Sequence, residues 1–232
     1  MENFKPEFKK KSIRSYVLRT GRMTDRQRFA FDQYWTNYGA SLHDGLFDSS
    51  LQFGRNAPQV LEIGFGMGES LFKMTQLEPD KDFIGIEVHS PGVGRLINNA
   101  GEHSLQNLKV YMADAKDVLE DCIVDKSLHR IQIYFPDPWH KKKHNKRRLI
   151  QSEFIDFLRL KIEIGGMIHL ATDWAHYAEQ MLQVMEDAQG YKNLAGQGNY
   201  SLRPNFRPIT KFESRGKRLG HGVWDLLYTR TS

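Results

Sequence analysis

The chain has 232 residues, 40% of them apolar and 12% aromatic, with one cysteine and a formal net charge of +5. These proportions exclude a disordered chain, and a single cysteine excludes both a disulfide framework and a cysteine zinc cluster. No apolar run approaches the about 18–20 residues needed to span a bilayer, and the start of the chain has no apolar stretch of the signal-peptide kind, so a cytoplasmic protein without a membrane anchor is expected. In chain order, residues 1–28 first gather nine basic side chains (Lys5, Lys9, Lys10, Lys11, Arg14, Arg19, Arg22, Arg26 and Arg28) against three acidic ones. Phosphate recognition needs cations on one surface, so this basic arm is a candidate contact for nucleic acid, centred on Arg14, Arg19 and Arg22. A solvated, disordered terminus is the plainer alternative.

From residue 59 short apolar runs alternate with segments of helical length. Strands are expected over 60–63, 83–87, 108–112, 131–135 and 167–171, with a last one over 223–229. Helices are expected over 69–78, 91–102, 149–163 and 174–188, where apolar residues recur at three- and four-residue spacing, as at Phe154, Phe157, Leu158 and Ile162. Strand followed by helix, repeated, predicts an α/β fold with a mostly parallel sheet and helices on both faces. The organisation expected is a basic arm and lead-in helix over 1–54 and one domain over 55–232.

Ligands of such sheets bind beyond the carboxyl ends of the strands. After the first strand stands Glu62-Ile-Gly64-Phe-Gly66-Met-Gly68-Glu69, a turn where absent side chains let a ligand lie against the backbone. The spacing is not that of a pyrophosphate-binding turn and no basic residue lies within it. Glu62 and Glu69 flank it, which suits S-adenosylmethionine, a cationic cofactor with an amino group, better than a nicotinamide dinucleotide. After the second strand Glu87 is placed to accept hydrogen bonds from both hydroxyls of a ribose, and after the third Asp114 is placed to hold an adenine amino group or a nearby donor. The fourth strand runs into Pro136-Asp137-Pro138-Trp139, where two prolines hold one carboxylate rigidly and the indole can stack on a base or cover the strand ends. Lys141, Lys142, Lys143, Lys146, Arg147 and Arg148 follow, six cations in eight positions, and phosphate positioning explains them better than a solvated face. After the fifth strand comes Asp173. The histidines lack zinc-hydrolase spacing, so no metal is expected, and Cys122 has no nucleophile context.

Read together, Leu61-Glu62-Ile-Gly-Phe-Gly-Met-Gly68, Ile-Gly-Ile-Glu87, Ala-Asp114, Phe-Pro-Asp137-Pro-Trp-His-Lys-Lys-Lys-His-Asn-Lys-Arg-Arg148, Ala-Thr-Asp173-Trp and Thr210-Lys-Phe-Glu213-Ser-Arg-Gly resemble the bacterial type of tRNA (guanine-N7-)-methyltransferase. The resemblance runs from about Ile13 to the end of the chain. It implies a Rossmann-like class I S-adenosylmethionine-dependent methyltransferase that forms 7-methylguanosine in the variable loop of tRNA. It further implies that Glu62, Gly64, Gly66, Gly68, Glu87, Asp114 and Asp137 bind the cofactor, and that Asp137 is catalytic. Lys141, Asp173, Thr210, Lys211, Phe212 and Glu213 would meet the substrate guanine region. No obligatory protein partner is evident, and a monomer or homodimer is expected. A nicotinamide-dependent oxidoreductase leaves the Pro-Asp-Pro-Trp segment and both basic clusters unexplained. A catalytically silent RNA-binding protein has no need of Glu62, Glu87, Asp114 and Asp137 together.

Overall fold

The computed structural model describes residues 15–16, 22–209, 213 and 222–232. The chain divides into two compact units, one ending at Val124 and one beginning at Asp125, the second also taking in Ser15 and Tyr16.

The first unit opens with α1 (Asp25–Tyr38). Thr24 starts it with a reciprocal cap: its hydroxyl accepts the Gln27 backbone N–H at 3.3 Å, and Gln27 Oε1 accepts the Thr24 N–H at 2.8 Å. Arg26 and Arg28, counted above with the basic arm, therefore belong to a helix. Arg26 binds both oxygens of Glu102 and Arg28 pairs with Asp25, so their charges are already matched. There follow β1 (Gly39–Ala40), α2 (Ser49–Phe53), β2 (Gln59–Ile63), α3 (Glu69–Leu77), β3 (Asp82–Ile86), α4 (Ser90–Glu102), β4 (Leu108–Tyr111) and α5 (Ala115–Asp121). The strands lie in the order β1-β4-β3-β2, and the three pairs are parallel. All five residues of β3 are buried, as a parallel strand covered on both sides requires. Val60, Leu61, Ile84, Val110 and Leu96 are inaccessible to solvent and form the core with Phe31 of α1, which packs on α4.

The second unit contains β5 (Leu128–Tyr134), α6 (Ser152–Lys161), β6 (Ile162–Thr172), α7 (Ala175–Asp187), β7 (Tyr191–Asn193) and β8 (Trp224–Arg230). The order is β5-β6-β8-β7, with β5 and β6 parallel and β8 antiparallel to both its neighbours. The helix expected from 149 begins only at Ser152. Side chains already satisfy the backbone before it: Ile150 N–H donates to the Tyr177 hydroxyl at 3.1 Å and Gln180 Nε2 donates to the Ile150 carbonyl at 3.2 Å. β6 starts five residues before the expected 167, because its first half runs through Glu163, Ile164, Gly165 and Gly166, which break the apolar signal. A register shift between Leu128 and Arg130 accommodates that half. No helix among the described residues is long and apolar enough to cross a membrane.

Candidate functional site

In the first unit the carboxyl ends of β2, β3 and β4 are level, Ile63 lying opposite Ile86 and Ile86 opposite Tyr111. The glycine turn, Glu87 and Asp114 therefore leave one edge. Gly64, Gly66 and Gly68 have φ of 75°, 58° and 74°, the left-handed region that a Cβ disfavours. No atom stands within 4 Å of where a Cβ on Gly64 or Gly66 would be, whereas one on Gly68 would meet Leu96 at 2.7 Å. Two glycines thus leave an open face, and the third lets α3 close onto α4.

Glu87 braces this turn. Its Oε2 accepts the Gly66 N–H at 2.7 Å, and its Oε1 accepts the Val88 and His89 N–H groups at 2.7 and 2.9 Å. Burial raises its pKa, against the lowering effect of the three amides. A carboxylate offers about four acceptor positions, so a single one is left for a ligand hydroxyl while the Gly66 bond is kept. Glu62 is buried on β2. Asp114 caps α5, accepting the Lys116 N–H at 2.9 Å, a helix-starting role that adds to the ligand role expected of it. Glu69 is paired with Arg95, so the turn is less anionic than its sequence implies. The open glycine face beside a buried, partly satisfied carboxylate fits a cofactor carrying a ribose.

In the second unit β5 and β6 also end level, Tyr134 opposite Ala171, and Asp225 near the start of β8 faces Ala171 from the other side. Asp137 and Asp173 follow these parallel strands at one edge, and their loops touch where the His140 and Trp174 rings meet at 4.4 Å. The Pro-Asp-Pro segment is bracketed by two non-glycine residues in the left-handed region, Phe135 (φ 51°) and Trp139 (φ 47°). Two contacts hold this costly conformation. Phe135 N–H donates to the Ala171 carbonyl at 2.8 Å, and Arg148 Nε donates to the Pro138 carbonyl at 2.8 Å. Asp137, between the prolines, is exposed, and Asp173 is half-buried.

The basic run divides into contacts and a peg. Lys141, Lys142, Lys143, Lys146 and Arg147 are exposed on and beside a 3-10 turn over Lys142–Arg147. Arg148, expected among the phosphate contacts, is only 3% exposed. Its guanidinium binds the Pro138 carbonyl and Gln180 Oε1 and lies 4.7 Å over the Tyr177 ring. With its donors turned inward it cannot meet a phosphate from solvent, so its role is corrected from contact to support. Trp139 is likewise engaged: its indole N–H donates to the Ser15 carbonyl at 3.0 Å, and the Arg147 guanidinium lies 4.7 Å over its ring. Burial and then the charges of Lys143, Arg147, Lys141 and Lys146 push the His144 pKa down, which marks the positive potential of this surface. Arg22 is exposed; Arg14 and Arg19 lie outside the described residues, as do Thr210, Lys211 and Phe212.

Glu213 is 1% exposed and belongs to a buried network that sequence reasoning missed. Arg207 donates to Glu213 Oε2 at 2.7 Å and, through Nε and a terminal nitrogen, to both oxygens of Asp225 at 2.7 and 2.8 Å. Asp225 Oδ1 also lies 2.7 Å from His169 Nε2, and His169 Nδ1 lies 2.8 Å from the Tyr134 hydroxyl. Burial would raise the Asp225 pKa, but the bonds from His169 and Arg207 prevail and lower it. Burial lowers that of His169. The available signal was a polar residue inside each apolar strand, His169 in Met-Ile-His-Leu-Ala and Asp225 in Trp-Asp-Leu-Leu-Tyr. Among the described residues no group of His, Cys, Asp or Glu gathers as a metal site needs.

Residues 56–226 match the protein family described as "Putative methyltransferase". The tRNA (guanine-N(7)-)-methyltransferase of Saccharophagus degradans is 61% identical over 97% of this chain and 99% of its own length. That of Yersinia enterocolitica is 54% identical over 94% of this chain and 91% of its own. Among solved structures, the 16S rRNA methyltransferase KamB superposes with a TM-score of 0.56 at 15% identity, covering 92% of this chain and 97% of that one, a likeness of fold. The fold is thus the Rossmann-like one of class I methyltransferases, and this chain belongs to the tRNA (guanine-N(7)-)-methyltransferase family of S-adenosylmethionine-dependent enzymes.

Proposed function

We propose that this protein transfers the methyl group of S-adenosylmethionine to N7 of a guanine in the variable loop of tRNA, forming 7-methylguanosine. The observation that carries the reading is family membership over nearly the whole chain. In this reading residues 55–232 form the catalytic domain and residues 1–54 an arm and lead-in. The protein works in the cytoplasm as a monomer or homodimer, without an obligatory protein partner.

Glu62, Gly64, Gly66, Gly68, Glu87 and Asp114 hold the cofactor in the first unit. Bound there, S-adenosylmethionine supplies an electrophilic methyl group on a sulfonium. In the second unit Lys142, Lys143, Lys146 and Arg147, with Arg14, Arg19 and Arg22 of the arm, take tRNA phosphates. Lys141, Asp173, Thr210, Lys211 and Phe212 meet the guanine region; Glu213, expected with them, is buried on Arg207 and serves as support. Guanine N7 presents an in-plane lone pair and no proton, so none of these residues needs to act as a general base. Positive charge moves onto the purine during transfer. A fixed carboxylate stabilises that charge, or accepts bonds from guanine N1–H and N2–H₂ and so orients N7. Asp137, set between two prolines, is the residue assigned this work, and it also contributes to cofactor binding.

The test is incubation of purified protein with tRNA and methyl-labelled S-adenosylmethionine, followed by digestion and nucleoside analysis. Label in 7-methylguanosine within the variable-loop fragment is the expected result. Label in another nucleoside overturns the N7 reading, and 7-methylguanosine confined to another fragment overturns the variable-loop assignment alone.

A further inference from the structure

Arg148 closes the basic run, yet it is turned inward, 3% exposed, while Arg147 before it is exposed. Its Nε donates to the carbonyl of Pro138, one residue past Asp137, at 2.8 Å, and a terminal nitrogen donates to Gln180 Oε1 at 2.5 Å. Its guanidinium lies 4.7 Å over the Tyr177 ring. Tyr177 and Gln180 stand on the first two turns of α7, the helix that begins two residues after Asp173. The same two side chains hold the chain just past Arg148, Tyr177 by accepting the Ile150 N–H and Gln180 by donating to the Ile150 carbonyl. Burial raises the Tyr177 pKa; Arg148 lowers it and Asp137 raises it, so both charges reach this hydroxyl. One buried arginine therefore links the turn that carries Asp137 to the helix that follows Asp173. Its planar fork aims two donors at two acceptors at fixed angles, which an ammonium cannot do. Trp139, directly after Pro138, holds a left-handed φ of 47°, a conformation that needs such an anchor.

We propose that Arg148, seated on Tyr177 and Gln180, is a positioning residue for methyl transfer, which fixes the exposed Asp137 carboxylate relative to Asp173 so that both meet one guanine in a single geometry. The proposal rests on the reading of Asp137 as the residue at the reacting base given above. Arg148, with its donors turned inward, touches no substrate; it acts on Asp137 through the Pro138 carbonyl. The exposed cations of the same run set how tightly tRNA binds, and Arg148 sets how fast the bound guanine reacts.

The experiment compares Arg148→Lys, Asp137→Ala and the double variant in single-turnover methyl transfer at saturating tRNA and cofactor, in KM for tRNA, and in deuterium uptake by the peptide spanning residues 135–140. Displacing a reacting group by about an ångström costs about 10²-fold in rate, so Arg148→Lys is expected to lower the single-turnover rate about 10- to 100-fold, with little change in KM for tRNA. Uptake over the turn should rise. Adding Arg148→Lys to Asp137→Ala should cause little further loss, since the group being positioned is already gone. A folded Arg148→Lys protein with the wild-type single-turnover rate overturns the proposal. So does a loss confined to KM for tRNA, the mark of a phosphate contact, and so do losses that multiply in the double variant. Removing a buried fork can prevent folding; in that case Gln180→Leu, which takes away the acceptor and leaves Arg148 in place, is read by the same criteria. If the wild-type protein forms no 7-methylguanosine the functional reading fails. Deuterium uptake then decides alone: a rise in the variant supports Arg148 as the anchor of the turn, and no change overturns it.

Discussion

The glycine turn of the first unit and the Pro-Asp-Pro turn of the second use the backbone in opposite ways. At Gly64 and Gly66 side chains are absent, φ is positive at little cost, and a buried carboxylate, Glu87, holds the amides. At Phe135 and Trp139 positive φ is imposed on residues that disfavour it, and the turn persists because Arg148 and the Ala171 carbonyl hold its ends. A site made by leaving side chains out can be read from the residues that are missing. A site made by burying charged residues cannot, because the same arginine spells either a phosphate contact or a support.

The largest effect should come from the strained turn. Asp137→Asn keeps shape and removes charge, and loss of one preorganised group of this kind commonly costs about 10²–10³ in rate. Single-turnover methyl transfer at saturating tRNA and cofactor isolates that step. A folded variant transferring at the wild-type rate would leave hydrogen-bonded positioning as its contribution. The pH–rate profile should also show no basic limb from a general base titrating near neutrality, since no proton leaves N7.

Next in size is the unstrained turn. Glu87→Ala removes a charged acceptor worth roughly 1.5–3 kcal/mol, so cofactor affinity should fall about 10- to 100-fold by calorimetry. Because Glu87 also holds the Gly66, Val88 and His89 amides, thermal unfolding should shift downward as well.

The basic run sharpens the contrast within one segment. Arg148→Ala should cost about 1.5–3 kcal/mol of stability, read as a lower midpoint in thermal unfolding, because its bonds are buried. Changing exposed Lys142, Lys143 and Lys146 together to Ala should leave the midpoint nearly unmoved. It should instead flatten the log–log salt dependence of tRNA binding by about 2–3, as expected for three lost phosphate contacts. Equal melting shifts in the two proteins would erase the distinction between support and contact.

The smallest effect concerns His144, whose pKa lies below its ordinary value through burial and the surrounding cations. Between the folded value and about 6.5 the unfolded chain binds more protons, so stability falls as pH drops through that window and is fully present above it. Bound phosphates oppose the cations. An NMR titration should therefore show the His144 pKa rising when tRNA binds, and its failure to move would remove this surface from the tRNA path.

Much of this was legible in the residues, for identifiable reasons. Hydrophobic runs located β2 to β4 to within a residue or so, because buried parallel strands are written as short apolar segments. The glycine turn, Glu87 and Asp114 fell at one strand edge as the fold rule requires. Short elements left no signal: α5 carries two buried apolar residues, Val118 and Leu119, and β7 spans three positions. The buried role of Arg148 was hidden because it depends on Gln180, distant in sequence, and that of Glu213 because its neighbour Arg207 reads as a surface cation until its burial against Asp225 is seen.

The division of labour between the glycine turn and the basic run is tested most directly by measuring both affinities in both kinds of variant. Calorimetric cofactor affinity and tRNA affinity at fixed salt would be determined for Glu87→Ala and for the Lys142, Lys143 and Lys146 triple alanine protein. The expected pattern is crossed: Glu87→Ala loses the cofactor and keeps tRNA, while the lysine variant loses tRNA and keeps the cofactor. A lysine variant that loses cofactor affinity as Glu87→Ala does, or a Glu87→Ala protein that loses tRNA as the lysine variant does, would contradict the account.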